Sequence, residues 1–156
     1  MSRALARTRV VEALTAALEA EHATIYGYGV AGAQLSGGEQ ERARAAYDTH
    51  RARRDTLVAL LLDRGAPAPA AAPAYALPAP VRDAPTARAL AARLENGLAA
   101  RYADLVGATR NRDVRRLAVT ALQDCAVRAT QWGADMGAFP GLARRSPAVT
   151  PTLPAR

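Results

Sequence analysis

Apolar residues recur at the spacing of an α-helix in four segments of the chain, which predicts four helices. The first predicted helix spans about residues 7–35, and the second spans about residues 39–64. The third is expected over about residues 83–109, and the fourth continues from there to about residue 136. The pattern therefore predicts an all-α fold.

The connections between these segments predict how the helices are arranged. The run SGGE at residues 36–39 is typical of a tight turn with a capping box, and Asn111 suits the start of the fourth helix. The first two helices, and likewise the last two, should therefore form antiparallel hairpins. Residues 66–84 contain five prolines, which exclude a helix and favour an extended chain that can return along the bundle.

Two antiparallel hairpins joined by one long crossover are the arrangement of a ferritin-like four-helix bundle. We assign this bundle to residues 1–142, with the Pro-rich crossover at residues 66–84. Residues 143–156 are expected to form a Pro-containing C-terminal tail.

Composition narrows the classes of function. The chain has 156 residues, half of them apolar, and no apolar stretch long enough to span a membrane, so a cytoplasmic protein without a membrane partner is expected. Its net charge is +7 and all 21 basic residues are arginine, but they are scattered along the helices and no nucleic-acid motif accompanies them. Nucleic acid is therefore not an expected partner. Alanine and glycine on the first helix favour a homodimer.

The first and third predicted helices share a short pattern. Glu19 and Tyr26 on the first helix recur as Glu95 and Tyr102 on the third, at a constant offset and with a leucine before each glutamate. The two helices therefore look like copies of one element.

Polar side chains on three helices are predicted to lie beside the apolar stripes and to point into the bundle. This interior polar cluster consists of Glu19, His22 and Tyr26 on the first helix, Tyr47, His50 and Arg54 on the second, and Glu95 and Tyr102 on the third. Buried charge is costly unless it is paired, hydrogen-bonded or bound to metal, so these groups must satisfy one another or hold an ion.

A metal site is one interpretation of this cluster. Glu19, His22, His50 and Glu95 offer carboxylate and imidazole ligands, which suit iron or manganese. A di-iron bundle also needs a Glu-x-x-His pair on each of two helices. Tyr47 occupies the position of the glutamate before His50, and the fourth helix has no glutamate or histidine, so a complete di-iron site is excluded.

The interpretation that we favour is a metal-free cluster in which Arg54 pairs with Glu19, Glu95 or both. No catalytic residue is assigned, and no cofactor is expected under this interpretation. The chain would then be a structural or interaction protein rather than an enzyme. A metal-binding bundle that handles iron or manganese remains the alternative, and an Arg-rich nucleoid-associated protein is a third hypothesis.

Several stretches resemble an actinobacterial family of uncharacterised ferritin-like proteins, the DUF4439 domain. They are LEAEHATIYGYGVAGA, YDTHRARRDTL, PAYALP, RLENGLAARYADL, ALQDCAVRATQW and AFPGL, and together they cover most of residues 12–142. The resemblance implies a ferritin-like fold. It implies no activity and assigns no role to the residues within these stretches.

Overall fold

The computed structural model describes residues 3–135 and residues 150–151. Its elements are α1 (Arg3–Gly32), α2 (Gly37–Leu62), β1 (Tyr75–Ala76), α3 (Ala84–Ala108), α4 (Arg112–Gln131) and β2 (Thr150–Pro151). The predicted all-α four-helix bundle is confirmed. The fourth helix ends before the predicted residue 136, and α1 begins before the predicted residue 7.

Local sequence explains where α3 and α4 begin. The Asp83 carboxylate accepts a hydrogen bond from the backbone N–H of Thr86, and the Thr86 hydroxyl accepts one from the backbone N–H of Asp83, which forms a capping box. The Asn111 side chain caps α4 by accepting from two backbone N–H groups. Ser36 occupies the N-cap of α2, but its side chain makes no cap hydrogen bond, so the capping box predicted there is absent.

Contacts at both ends of the first hairpin establish that α1 and α2 are antiparallel. The Arg7 guanidinium donates to the carbonyl of Arg64, just beyond the end of α2, and the Gln40 amide donates to the carbonyl of Gly32 at the end of α1. A short turn joins α3 to α4, and these two helices pack against each other along the second hairpin. The two predicted hairpins are therefore present.

The second hairpin docks on the first through α1 and α3. Glu21 and Tyr28 on α1 contact Tyr102 and Glu95 on α3, in reversed order, so α1 and α3 are antiparallel. It follows that α1 and α4 point in one direction and that α2 and α3 point in the other.

The crossover between α2 and α3 runs beside α1 without forming a helix. The ring nitrogen Nε2 of His22 donates to the carbonyl of Pro69 at 2.9 Å, and the ring of Tyr26 lies 5.5 Å from that of Tyr75. Two residues of the crossover, β1, pair antiparallel with β2, a short pairing that the sequence pattern did not predict. The rest of the predicted tail, residues 143–156, lies outside the described residues.

Two apolar clusters fill the interior, one toward each end of the bundle. Buried leucines of α1, α2 and α3 form the first cluster, and α4 contributes Val114 and alanines to it. The second surrounds Tyr28, Leu94 and Trp132. Gly27 allows α1 and α3 to approach closely, because a Cβ at this position would overlap the Leu94 side chain. Within residues 3–135 no helix combines the length and the apolar character that crossing a membrane requires.

Candidate functional site

A histidine in the middle of the bundle lies between two carboxylates. The Nδ1 atom of His50, on α2, is 2.8 Å from Oε2 of Glu21 on α1, and its Nε2 atom is 3.0 Å from Oε1 of Glu95 on α3. All three side chains are fully buried. Because a carboxylate accepts hydrogen bonds, a ring that donates from both nitrogens is a protonated imidazolium.

Burial and charge pairing oppose each other at this site. Burial alone lowers the pKa of His50, but hydrogen bonds from its ring to Glu21 and Glu95, together with their charges, raise the pKa above its ordinary 6.5. Burial raises the pKa of Glu95, yet the hydrogen bond and charge of His50 outweigh it and hold the pKa below its ordinary 4.5. His50 and Glu95 therefore stabilise each other in their charged forms.

Two tyrosines complete the hydrogen bonding of these carboxylates. The Tyr28 hydroxyl donates to Oε1 of Glu95 at 2.6 Å, and the Tyr102 hydroxyl donates to Oε1 of Glu21. The Tyr28 ring also stacks on the His50 imidazole, with centroids 5.5 Å apart. Burial and the adjacent carboxylates raise the pKa of both phenols well above the usual value, so both remain proton donors.

The two glutamate–tyrosine contacts between α1 and α3 are reciprocal. Each helix carries a glutamate followed at the same spacing by a tyrosine, and each tyrosine donates to the glutamate of the other helix. Glu21 and Tyr28, rather than the Glu19 and Tyr26 of the proposed repeat, are therefore the residues of α1 that pair with Glu95 and Tyr102.

Further polar groups surround the cluster. The Arg53 guanidinium on α2 donates to the Asp124 carboxylate and lies 3.7 Å from Sγ of Cys125 on α4. The charge of Arg53 acts on Glu21, and that of Arg128 on Glu95, so positive groups flank the two carboxylates. Oε2 of Glu95 is buried and has no hydrogen-bond partner among the described residues.

Three residues predicted on α1 do not join this cluster. Glu19 is exposed, so its predicted inward position is wrong. Leu14, Leu18 and Glu21 lie on the face of α1 that packs against the other helices. Glu19 follows Leu18 directly, so its side chain is rotated away from this face toward solvent. His22 and Tyr26 are buried and half-buried, respectively, but both face the crossover rather than the cluster.

On α2 the predicted arginine is one position away from the one that points inward. Arg54 forms an ion pair at the surface with its neighbour Asp55, at 2.7 Å, so the predicted Arg54–glutamate pair is absent. Arg53 takes the inward direction. Tyr47 is half-buried against the second apolar cluster and lies under the Arg51 guanidinium.

Sequence reasoning placed His50, Glu95 and Tyr102 together and missed Glu21, Tyr28 and Arg53. The signal for Glu21 was available, since it follows Leu14 and Leu18 at helical spacing. The prediction did not include Glu21, and the three residues that it named on α1 lie on another face of the helix. Nothing in the local pattern separates Arg53 from Arg54.

The positions of the possible ligand atoms show whether these side chains could coordinate a metal ion. The two nitrogens of His50 point in opposite directions toward different carboxylates, so one ion could bind only one nitrogen and one of these carboxylates without moving the ring. Asp124 is engaged by Arg53. Among the described residues, no group of three or more His, Cys, Asp or Glu side chains is arranged to hold an ion. This arrangement of the side chains does not fit a metal.

The cluster can hold a proton on His50 between two carboxylates, shielded from water. Its central side chains are fully buried, so a substrate in solution does not reach them.

Comparisons with known proteins agree with the fold. A family model described as Domain of unknown function (DUF4439) matches residues 13–144. The comparison with curated proteins returns no match. A solved structure described as "Crystal structure of a conserved hypothetical protein, rv2844, from Mycobacterium tuberculosis" is 41% identical in sequence, with a TM-score of 0.78. The match covers 84% of this chain and 97% of the mycobacterial chain.

Proposed function

Since the chain belongs to the DUF4439 family, which brings no activity with it, we propose a function from the buried cluster itself. The protein is a ferritin-like bundle whose interior polar cluster is held together without a metal. It acts as a structural or interaction protein in the cytoplasm, through its outer surface, and it is not an enzyme.

The observation that carries this proposal is the use of both His50 nitrogens by carboxylates, at 2.8 and 3.0 Å. A metal-bound histidine must offer a lone pair on a deprotonated nitrogen, whereas an imidazolium has none. The raised pKa of His50 favours the imidazolium. The proton on His50 thus supplies the positive charge that an ion would otherwise bring between Glu21 and Glu95.

The proposal is tested by metal content and by the effect of metal on stability. Protein purified without chelators should contain far less than one equivalent of iron, manganese or zinc by elemental analysis. Adding Fe²⁺, Mn²⁺ or Zn²⁺ should change the melting temperature by less than about 1 °C, because an ion that does not bind the folded state cannot stabilise it.

The control for this experiment is a pair of glutamate variants. Glu95→Gln alters the cluster, and Glu19→Gln removes an exposed carboxylate from the same bundle. A stoichiometric metal, or a metal-induced rise in melting temperature that Glu95→Gln abolishes and Glu19→Gln preserves, would overturn the metal-free proposal.

A metal-binding bundle that handles iron or manganese is the second candidate, and one observation favours it. Oε2 of Glu95 is buried without a hydrogen-bond partner among the described residues, which is an unusual state for a carboxylate oxygen. If the His50 ring turned away from one of the two carboxylates, an ion could take its place, and Oε2 of Glu95 would then face this ion. The glutamate-variant experiment separates this candidate from the first, because only a bound ion makes the metal-induced shift depend on Glu95.

We also propose a homodimer. Gly29 on α1 and Ala33, just beyond its end, are exposed, and a Cβ at Gly29 would meet no neighbouring atom, so a second copy has room to approach this face. Light scattering at micromolar concentration should give the mass of two chains. A clean monomer would contradict this assembly.

A further inference from the structure

Positive charge collects at the end of the bundle where α1 and α4 begin and α2 and α3 end. We call this region, formed by Arg7, residues 62–65 and residues 109–120, the basic end. It carries six arginines against two acidic residues, Asp63 and Asp113. Four of these arginines lie close together in sequence, between residues 110 and 116, and the antiparallel arrangement of the helices brings Arg7 and Arg64 to the same end.

The opposite end of the bundle is balanced. Residues 37–44 at the start of α2 carry two arginines and two glutamates, and Arg82 precedes Asp83 at the start of α3. Among the residues that the structure describes, excess positive charge is therefore a property of one end rather than of both.

Three arginines of the basic end are held in place without losing their charge. Arg7, Arg64 and Arg115 donate to backbone carbonyls at 2.6, 2.7 and 2.8 Å, respectively. A carbonyl is neutral, so each hydrogen bond fixes a guanidinium and leaves its net charge available. Arg116 approaches Asp113 only at 3.9 Å, with both groups largely exposed, and such a pair is weak.

The same end offers a concavity and exposed aliphatic side chains. An open groove is lined by Arg112, Arg115, Arg116, Val119 and Thr120. Val119 is 37% exposed, and Leu62, at the end of α2, is 60% exposed. Guanidinium groups around an accessible aliphatic surface match the composition of protein interfaces, which are enriched in arginine and exclude water from an apolar centre.

We propose that the basic end docks an acidic segment of a partner protein, with glutamate or aspartate on the arginines and aliphatic side chains against Leu62 and Val119. Carboxylates match the fork of the guanidinium group and can bind it in bidentate fashion. Nucleic acid fits less well, because the described residues of this end offer no aromatic side chain on which bases could stack. This inference rests on the proposed interaction role.

The test uses the full chain and a labelled synthetic helical peptide of about 20 residues with a glutamate face and a leucine stripe. Fluorescence anisotropy should show binding that weakens as salt rises from about 50 to about 200 mM. A peptide with glutamine in place of glutamate should bind at least about tenfold more weakly. A polyglutamate peptide of equal charge, which lacks leucine, should also bind more weakly.

Two double variants with the same change in charge locate the site. Arg112→Glu with Arg116→Glu should weaken binding by at least about tenfold and should bind a lysine-for-glutamate peptide better than the original chain does. Arg44→Glu with Arg82→Glu, two exposed positions at the opposite end, should change affinity less than about twofold. Circular dichroism checks that both variants remain folded.

Several results would overturn the docking proposal. They are equal weakening by the two double variants, absence of peptide binding, or tighter binding of a DNA duplex or of phosphatidylglycerol vesicles than of the acidic peptide. Metal content is measured on the same preparation. Peptide binding by a metal-loaded chain would keep the docking site and overturn the metal-free function, whereas a metal-free chain that binds no peptide would overturn the docking site alone.

Discussion

Replacing His50 by leucine should destabilise the bundle more than almost any other single change. His50→Leu removes the only imidazolium between Glu21 and Glu95 and preserves most of the buried volume. Each carboxylate would then keep one tyrosine donor, Tyr102 or Tyr28, and would lose its nearest positive charge.

The size of the effect follows from the burial of all three groups. Breaking a fully buried ion pair by removing one partner costs about 3–5 kcal/mol, because the other charge stays behind without compensation. Here two carboxylates are left behind, so the upper part of that range is expected. Small domains have a free energy of unfolding of about 5–15 kcal/mol, so a loss near 5 kcal/mol removes at least about a third of the stability and unfolds a domain at the lower end of that range.

The assay is urea denaturation followed by circular dichroism, with two comparison variants. Arg54→Leu removes an arginine from the same helix, but its partner Asp55 is exposed, so the free energy of unfolding should change by less than about 0.5 kcal/mol. In a His50→Leu background, Glu21→Gln with Glu95→Gln should restore part of the loss, because neutral amides are cheaper to bury than unpaired carboxylates.

Equal effects of His50→Leu and Arg54→Leu would refute the reasoning. So would a failure of the two glutamine replacements to recover any stability, because the loss would then come from packing and not from stranded charge.

The remaining predictions concern pH, helix packing and the thiol. The raised pKa of His50 contributes stability that is complete below pH 6.5 and is lost as pH rises through the folded-state pKa of His50. The lowered pKa of Glu95 contributes stability that is present above pH 4.5 and is lost as pH falls through the folded-state pKa of Glu95. Urea denaturation between about pH 5 and about pH 9 should therefore show declining stability on the alkaline side, and the decline should be smaller in His50→Leu. Gly29→Ala places a methyl group in open space and should raise the free energy of unfolding by about 0.5–1 kcal/mol. Gly27→Ala places a methyl group against the packed Leu94 side chain and should lower the free energy of unfolding by about 1–3 kcal/mol. The opposite order would contradict the close approach of α1 and α3. Burial, followed by the charge of Glu95, raises the pKa of Cys125 well above its ordinary range, so Ellman's reagent should modify this thiol only after unfolding, and rapid modification of the native protein would be incompatible with its position.

The fold could be predicted from sequence because its signals are strong and local. Prolines in residues 66–84 exclude a helix, and the caps at Asp83 and Asn111 mark where α3 and α4 begin. These features set the number of helices and the lengths of the connections, and the connection lengths then determine the two hairpins. The pairing of β1 with β2 depends on residues far apart in the chain, and no local pattern indicated it.

The site was predicted less well because it depends on helix rotation. Alanine provides a weak contrast between the inner and outer faces of a helix, so the sequence does not show which flank of the apolar stripe of α1 faces α3, and the prediction took the wrong flank. That error exchanged Glu21 for Glu19, and the internal repeat was then aligned in the same shifted register. His50 and Glu95 were placed correctly because leucines on α2 and α3 define their inner faces clearly.

The reciprocal contacts between α1 and α3 have a consequence for how the two hairpins find their alignment. Alanine-rich surfaces look much the same one turn further along, so apolar packing alone would tolerate a slip of about 5.4 Å between the helices. Such a slip would separate Tyr28 from Glu95 and Tyr102 from Glu21 at the same time, leaving both carboxylates buried without their donors. A single buried polar residue is known to select one register in coiled coils. In this bundle the polar cluster would select one register between the two hairpins, whereas the apolar surfaces alone could pack in several.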